Sequence, residues 1–358
     1  MNAIMERARQ YMDSLADGKD PLSGAATPDD PALNQERLAK CFRYTAAFLR
    51  RELDGQPQPQ EERKIMERAA LYMDRLSYGK DPIGKADLPK NSVLSQKKLA
   101  VCFRYTAMVY RMALEPPLQA PVDPMTPELR ARIPYSQEPV PLRPFVSKLA
   151  DLLWDSPFVK SFFFPPVTAW LHREGYIEHE QRGGQTVSVP TQRGISAGLS
   201  IGTVTGDDGT VYPTVLFNEE AQRLIVDHVG QILASTAENY KALLAYLTPE
   251  ACIRVRLDPQ PVSLTELLKQ VGRQLPPELP LTLNAGRINH WLIENGLLSL
   301  SAGGGKYPTE RGKAVGIVTG RNGGRAKQGI YSSENAQQYL VDHLREIVRD
   351  LCAGLSCS

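Results

Sequence analysis

The residues best suited to chemistry lie in the last third of the chain. Lys306, Arg311, Lys313, Arg321, Arg325 and Lys327 fall within about 22 residues, with Glu310 the only acidic residue among them. Gly303–Gly305, Gly320, Gly323 and Gly324 punctuate the same stretch. Cations on a glycine-rich backbone suit contact with phosphate, which supplies most of a nucleic acid's affinity for a protein. Just upstream, Arg287, Asn289 and His290 sit in a segment of helical pattern. Arginine and asparagine can bond the edges of bases. These nine side chains are the candidate nucleic-acid contacts. The other reading of the basic stretch is a solvated loop whose charges aid solubility. An earlier, equivalent stretch offers Arg173, Arg182, Gln185 and Arg193, but sets Glu178, Glu180, Asp207 and Asp208 against them.

Catalytic chemistry leaves no comparable trace. Gly303-Gly304-Gly305-Lys306 is followed by Tyr307, so no phosphate-binding loop of the Gly-x-x-x-x-Gly-Lys-Ser/Thr type is formed. His-Glu-x-x-His and a strand-based Gly-x-Gly-x-x-Gly do not occur. Asp227-His228 and Asp342-His343 resemble dyads only on paper: neighbours on a helix point in different directions, so both pairs read as surface or helix-end features. His172 and His179 have no nearby cysteine or histidine set to complete a metal site. The expectation is a protein that is not an enzyme, with no catalytic residue, no metal and no cofactor. An active site assembled from distant residues would leave no such signature.

The elements that must position the basic residues come from two internal duplications. In the first, Ile4-Met5-Glu6-Arg7-Ala8 recurs as Ile65-Met66-Glu67-Arg68-Ala69, and Gly18-Lys19-Asp20-Pro21 as Gly79-Lys80-Asp81-Pro82. Cys41-Phe42-Arg43-Tyr44-Thr45-Ala46 recurs as Cys102-Phe103-Arg104-Tyr105-Thr106-Ala107, at the same offset of 61 residues. Ile4, Ala8, Tyr11, Met12 and Leu15 follow helical spacing, and Gly18 stops the helix. Leu38, Cys41, Phe42, Thr45, Phe48 and Leu49 form the stripe of a second helix. Two such hairpins, residues 1–60 and 61–115, are expected to pack as a four-helix unit. Arg43 and Arg104 read as structural residues, each paired with a local carboxylate, and Lys19-Asp20 and Lys80-Asp81 of the turn segments also read as structural. Lys85, Lys90, Lys97 and Lys98 make the second copy more basic than the first, which suits either a solvated face or a phosphate track.

Residues 116–124 are proline-rich and read as a linker. Beyond them a longer unit occurs twice, at about 125–235 and 247–350. Trp170-Leu171 with Gly175 returns as Trp291-Leu292 with Gly296, and Pro190-Thr191 with Arg193-Gly194 as Pro308-Thr309 with Arg311-Gly312. Ala221-Gln222 with Val226-Asp227-His228 returns as Ala336-Gln337 with Val341-Asp342-His343. The pattern predicts a helix over about Arg143–Trp154 or Leu264–Gln274. A second follows over about Pro166–Glu174 or Ala285–Glu294, ended by a glycine. Then come a glycine hairpin at Gly183-Gly184 or Gly303–Gly305, a last strand (Val211–Phe217 or Gly329–Tyr331) and a closing helix carrying Leu224, Ile225, Val229 and Ile232. Helix, helix, hairpin is the order of a winged helix, whose second helix reads a groove while the wing touches backbone. Trp170 and Trp291 read as core residues.

Composition sets limits on this. The chain has 358 residues, 42% hydrophobic and 23% charged, with a net charge of +2, so any nucleic-acid contact must come from local patches. No apolar run approaches the roughly 20 residues of a spanning helix. The N-terminus lacks a signal-peptide stretch, which makes the cytoplasm the expected compartment. The cysteines, Cys41, Cys102, Cys252, Cys352 and Cys357, are odd in number and scattered; Cys41 and Cys102 fall inside apolar helical patterns and read as core residues.

The doubled modules resemble a family of uncharacterised bacterial and mobile-element proteins. That family pairs a helical module like Tyr72-Met73-Asp74 … Gly79-Lys80-Asp81-Pro82 … Cys102-Phe103-Arg104-Tyr105-Thr106-Ala107 with a module like Ile288-Asn289 … Trp291-Leu292 … Pro308-Thr309-Glu310 … Ala336-Gln337 … Val341-Asp342-His343. The resemblance spans nearly the whole chain. The glycine-hairpin part is more weakly similar to C-terminal domains of phage antirepressors of the KilA type. In the first copy Val167-Thr168-Ala169 stands where the second has Ile288-Asn289, so only the second matches fully. The resemblance implies a bacterial or mobile-element setting and no particular mechanism. The expected fold is mainly α with small β-hairpins: a helical repeat pair, then two tandem winged-helix-like domains. The expected function is nucleic-acid binding, to double-stranded DNA, in a regulatory or mobile-element role without membrane association. The alternative is a protein–protein adaptor or inhibitor, for example of a host enzyme or defence complex.

Overall fold

A computed structural model describes residues 3–84, 86–118, 123–153, 157–182, 185–206, 209–276, 285–301, 304–321 and 328–353. At 157–163, 182, 185, 321, 328, 352 and 353 only the backbone is described. The fold is mainly α-helical, with small antiparallel hairpins and sheets, as the periodicity implies. Two compact units are formed: Met1–Pro117 with Leu247–Val255 and Leu340–His343, and Leu118–Tyr246 with Arg256–Tyr339 and Leu344–Ser358.

In the first unit, α1 (Ala3–Ala16) packs on α2 (Glu36–Leu53), and α3 (Arg63–Ser77) on α4 (Lys97–Ala113). The stripe expected on the second helix is buried at Leu38, Phe42, Thr45, Phe48 and Leu49. Phe42 and Phe103, the same position in each repeat, stack with ring centres 6.1 Å apart and planes 15° apart, so the two hairpins share one core. Burial pushes the Cys41 thiol up to about 11 and the Cys102 thiol up to about 12, as befits unreactive packing residues. The repeats are also joined where they differ. Asp30, 8% exposed, accepts hydrogen bonds from the Ser92 hydroxyl at 2.9 Å, from Val93 N at 2.8 Å and from Ala32 N and Leu33 N of its own loop.

Two later segments complete this unit, which the sequence does not reveal. Tyr105 Oη donates to Glu250 Oε1 at 2.5 Å, where Glu250 lies on the short helix Pro249–Cys252. Asp342, 4% exposed, lies 3.4 Å from Arg104 Nε and accepts from Tyr78 Oη at 3.5 Å. His343 is buried beside Arg111, itself paired with Asp74 at 2.9 Å. Arg104 thus has a carboxylate partner, but one far along the chain and not the local one expected, while Arg43 Nη2 donates to the Ala16 carbonyl at 3.5 Å.

The second unit holds both copies of the longer module apart from Leu247–Val255 and Leu340–His343. Following the short helix α5 (Pro127–Ala131), copy one runs β1 (Val140–Pro141), α6 (Leu142–Leu153), α7 (Pro157–Arg173), β2 (Ile177–Arg182), β3 (Gln185–Pro190), α8 (Gln192–Ser196), β4 (Leu199–Thr205), β5 (Val211–Phe217) and α9 (Glu219–Asp227). A long helix, α10 (Val229–Tyr246), follows, and α11 is the Pro249–Cys252 helix of the first unit. Copy two repeats the order in β6 (Val262–Ser263), α12 (Leu264–Gly272), α13 (Ala285–Glu294), β7 (Leu298–Leu300), β8 (Lys306–Pro308), α14 (Glu310–Ala314), β9 (Ile317–Arg321), β10 (Gln328–Ser332), α15 (Glu334–Asp342) and α16 (Leu344–Ala353).

Each copy therefore has two hairpins. The expected glycine hairpins are β2–β3 and β7–β8. The second hairpin is β4–β5 or β9–β10, and its last strand takes the short strand that precedes the helices as a further antiparallel neighbour, giving orders β1-β5-β4 and β6-β10-β9. The sequence pattern shows only the last strand of this second hairpin, because Gly202, Gly206, Gly209, Gly316 and Gly320 interrupt the rest. The closing helix is also two helices, broken at His228 and again at His343. Helix α7 begins nine residues before the expected Pro166 and carries Pro165 and Pro166 inside it; Thr168 Oγ1 donates to the Phe164 carbonyl at 3.1 Å, beside the proline amides that have no N–H.

Candidate nucleic-acid interface

Helix α13 is anchored by the apolar face Ile288, Trp291 and Leu292, all buried, and by the indole of Trp291, which donates to Asp350 Oδ2 at 3.0 Å. Arg287, one position before Ile288, also turns inward. It is 3% exposed, donates to the phenol oxygen of Tyr240 and lies 5.9 Å from that ring's centre. Burial draws its pKa down to about 10, with Tyr240 opposing the fall. A small cavity beside it is lined by Pro165, Pro166 and Ala169 of α7 and Ser235, Thr236 and Asn239 of α10. Arg287 is therefore a packing residue where α7, α10 and α13 meet, and is not placed to read bases. Helical spacing cannot show this, because it gives no warning that a guanidinium will face a tyrosine.

The other two residues on this helix are half-buried. His290 Nε2 lies 3.0 Å from Glu294 Oε1, and Asn289 Oδ1 is buried with no hydrogen-bond partner among the described residues.

The basic residues beyond α13 are spread over several elements. Lys306 opens β8, exposed and opposite Leu300; Tyr307 beside it is 46% exposed. Arg311 and Lys313 lie on α14. Arg311 Nη1 donates to the Asn295 carbonyl at 2.9 Å, just past the end of α13. Arg193 does the same in copy one, donating to the Glu174 carbonyl at 2.5 Å with its guanidinium 4.4 Å over the Tyr176 ring. Both arginines thus bind the carbonyl end of the preceding helix, where a cation is favoured. Lys313 pairs with Glu310 at 2.6 Å on the surface. Arg321 ends β9 opposite Gln328, which leaves residues 322–327 to connect β9 with β10. Arg325 and Lys327 belong to that connection and lie outside the described residues.

The recurring Pro-Thr-x-x-Gly holds the module together. Thr309 Oγ1 accepts from Gly312 N at 3.1 Å and donates to the Gly296 carbonyl at 2.7 Å; Thr191 makes the same bonds with Gly194 and Gly175. A Cβ on Gly312 or Gly194 would sit 2.1 Å from the Leu297 or Tyr176 carbonyl oxygen, which is why only glycine fits there.

Gln222 and Gln337 recur in the sequence with nothing to mark their role. Both are 0% exposed. Gln337 accepts from Asp258 N at 3.1 Å and donates to the carbonyls of Asp258, Gln260 and Ser332; Gln222 ties Ser136 to Phe217 in the same way.

The two Asp-His pairs part company. Asp227 is exposed and pairs with Arg130 at 2.6 Å, while His228 lies 5.0 Å from Trp170, ring to ring. That agrees with a surface or helix-end reading; Asp342 and His343 also stand at a helix end, but they are buried, which corrects the surface part of the reading for copy two. His172 and His179 come together, rings 3.9 Å apart, and burial of His172 and its neighbour His179 lower the His172 pKa. Among the described residues no group of three or more His, Cys, Asp or Glu side chains could hold a metal ion. Nor is any described helix long and apolar enough to cross a membrane. Comparisons with protein-family models, with curated proteins and with solved structures found no match.

Proposed function

We propose that the chain binds nucleic acid, double-stranded DNA in the first instance, through the two hairpins of the second module copy. One contrast carries this reading. The β9–β10 connection and its flanks hold Arg321, Arg325 and Lys327 with no acid, whereas the matching β4–β5 connection holds Asp207 and Asp208. The two copies therefore differ in the sign of charge in this part of their sequence. Lys306 and Tyr307 add an exposed cation and an aromatic on the neighbouring hairpin. Since Arg287 is buried and Arg311 is bound to a helix end, contact is made to phosphate more than to base edges, and the binding is weakly sequence-selective. The resemblance to bacterial and mobile-element proteins suits a regulatory role. The test is binding to duplex DNA, single-stranded DNA and RNA across a salt series. Replacing Lys306, Arg321, Arg325 and Lys327 by alanine should weaken binding and flatten the salt slope by about one for each phosphate-bound cation removed. Absence of binding to all three at low salt, or an unchanged slope, would overturn the reading.

A protein partner is the second reading. The copy-one hairpin β4–β5 has no Lys or Arg, and exposes Ile201, Val211 (59%) and Tyr212. An exposed apolar strand pair suits an adaptor or inhibitor.

A further inference from the structure

We infer that the second helical repeat carries a separate phosphate-binding surface, formed by Lys90, Lys97 and Lys98, for a nucleic-acid backbone. The inference rests on the nucleic-acid reading for its ligand, but on different residues and a different unit.

The duplication supplies an internal control. At the offset of 61, Lys90, Lys97 and Lys98 match Asp29, Glu36 and Arg37. Lysines thus stand where repeat one has two acids and an arginine. In repeat one, Glu36 sits in the first turn of α2, a favourable place for an anion, and pairs with Lys40 at 2.7 Å. In repeat two, Lys97 and Lys98 fill the first turn of α4 with no acid among them, and the position of Lys40 is taken by Val101. Cations are disfavoured there by the helix dipole. Folding alone gains nothing from this exchange, and a local rule broken without a compensating interaction points to function.

The three lysines are held in one neighbourhood. Ser95 Oγ donates to the Pro89 carbonyl at 2.8 Å and Ser92 N to the same carbonyl at 2.9 Å, so the turn bearing Lys90 is fixed against the start of α4. All three are exposed, and none joins an ion pair among the described residues. The nearby carboxylates are already occupied. Asp30 is buried against Ser92 and Val93, Asp87 pairs with Lys80, and Asp20 accepts from Gln96. What faces solvent is a surface of three lysines, whose charge suits a phosphate backbone.

The experiment uses the full chain and a fluorescent DNA duplex, titrated at several salt concentrations. One variant, K90D/K97E, carries the residues of repeat one; a second, K90A/K98A, leaves the first position of α4 untouched; a third, K90R/K97R/K98R, keeps the charge. The hairpin variant K306A/R321A/R325A/K327A runs beside them. The first two should lose about tenfold in affinity and about two in salt slope, and the arginine variant should bind like the parent. If both charge-removing variants bind as the parent does while the hairpin variant fails, this surface is refuted and the hairpin reading stands. The converse result upholds this surface and refutes the hairpin. If the parent binds no nucleic acid, both are refuted.

Discussion

The side-chain amide of Gln35 donates to the carboxylate of Asp81 at 3.4 Å, reaching from the first helical repeat into the second. The mirror-image bond runs from Gln96 to Asp20 at 3.3 Å. Each glutamine immediately precedes the second helix of its own repeat, and each aspartate belongs to the Gly-Lys-Asp-Pro loop of the other. The repeated motif is therefore the seam of a pseudo-twofold unit, and each aspartate also fixes its own turn, Asp20 through Leu22 N at 2.9 Å and Asp81 through Ile83 N at 2.9 Å.

Acid should weaken this seam. Partial burial alone would raise the Asp20 pKa, but the Leu22 N–H, the Ser23 hydroxyl and the Gln96 amide together hold it below the usual carboxylate value. A depressed folded-state pKa means stability that is present at neutral pH and is lost as pH falls below about 4 and through the folded value. Thermal unfolding of the parent between about pH 2 and pH 6 should show that loss, and Asp20→Asn should flatten it. Identical acid slopes for the two proteins would show that the carboxylate plays no such part.

The two Asp-His pairs predict opposite outcomes for one substitution. Asp342→Ala should cost about 3 kcal/mol, because it strips a buried carboxylate from Arg104, whose side chain is only 17% exposed. Asp227→Ala should cost about 0–1 kcal/mol, its partner Arg130 lying at the surface. Chemical denaturation of the two variants side by side is enough to decide, and equal losses would contradict the burial difference.

At Gly312, alanine should cost about 3 kcal/mol, since its Cβ would meet the Leu297 carbonyl oxygen at 2.1 Å and the backbone must shift. The same change at Gly304, where nothing lies within 4 Å but φ is +75°, should cost only about 1 kcal/mol. Unfolding midpoints in urea would rank the two, and a milder effect at Gly312 would count against the close approach.

Lys97→Glu should stabilise the chain by about 0.3–1 kcal/mol, by placing an anion in the first turn of α4 as repeat one does with Glu36. The gain should shrink in high salt. A destabilised Lys97→Glu protein would mean that Lys97 has a structural partner.

Much of the fold is legible because duplication prints a pattern twice. The stripe from Leu38 to Leu49, the helix Ala285–Glu294 and the glycine hairpins all follow from periodicity and punctuation. What escapes are features set by partners distant in sequence. Arg287 reads as a surface arginine until Tyr240 is placed beside it, and Gln337 reads as an ordinary helix residue until Asp258 and Ser332 close around its amide. The second hairpins are hidden by glycines that mark turns in most sequences but here lie within strands, as Gly202 and Gly320 do. Of the nine candidate residues, those placed at the surface are lysines and an arginine whose exposure the charge pattern already implies.

The one-sided bond between Asp30 and Ser92 has a bearing on how this unit assembles. Two identical hairpins could each pair with their own kind in another chain. Counting back by 61 residues, Ser92 corresponds to Pro31, and counting forward, Asp30 corresponds to Asn91. A pair of first repeats would set Asp30 against a proline with no hydroxyl to offer, and a pair of second repeats would lack the buried carboxylate altogether. Only the mixed pair satisfies both groups, so what resembles a homodimer folded into one chain is a heterotypic pairing, in which each repeat is matched to the other and not to its own kind.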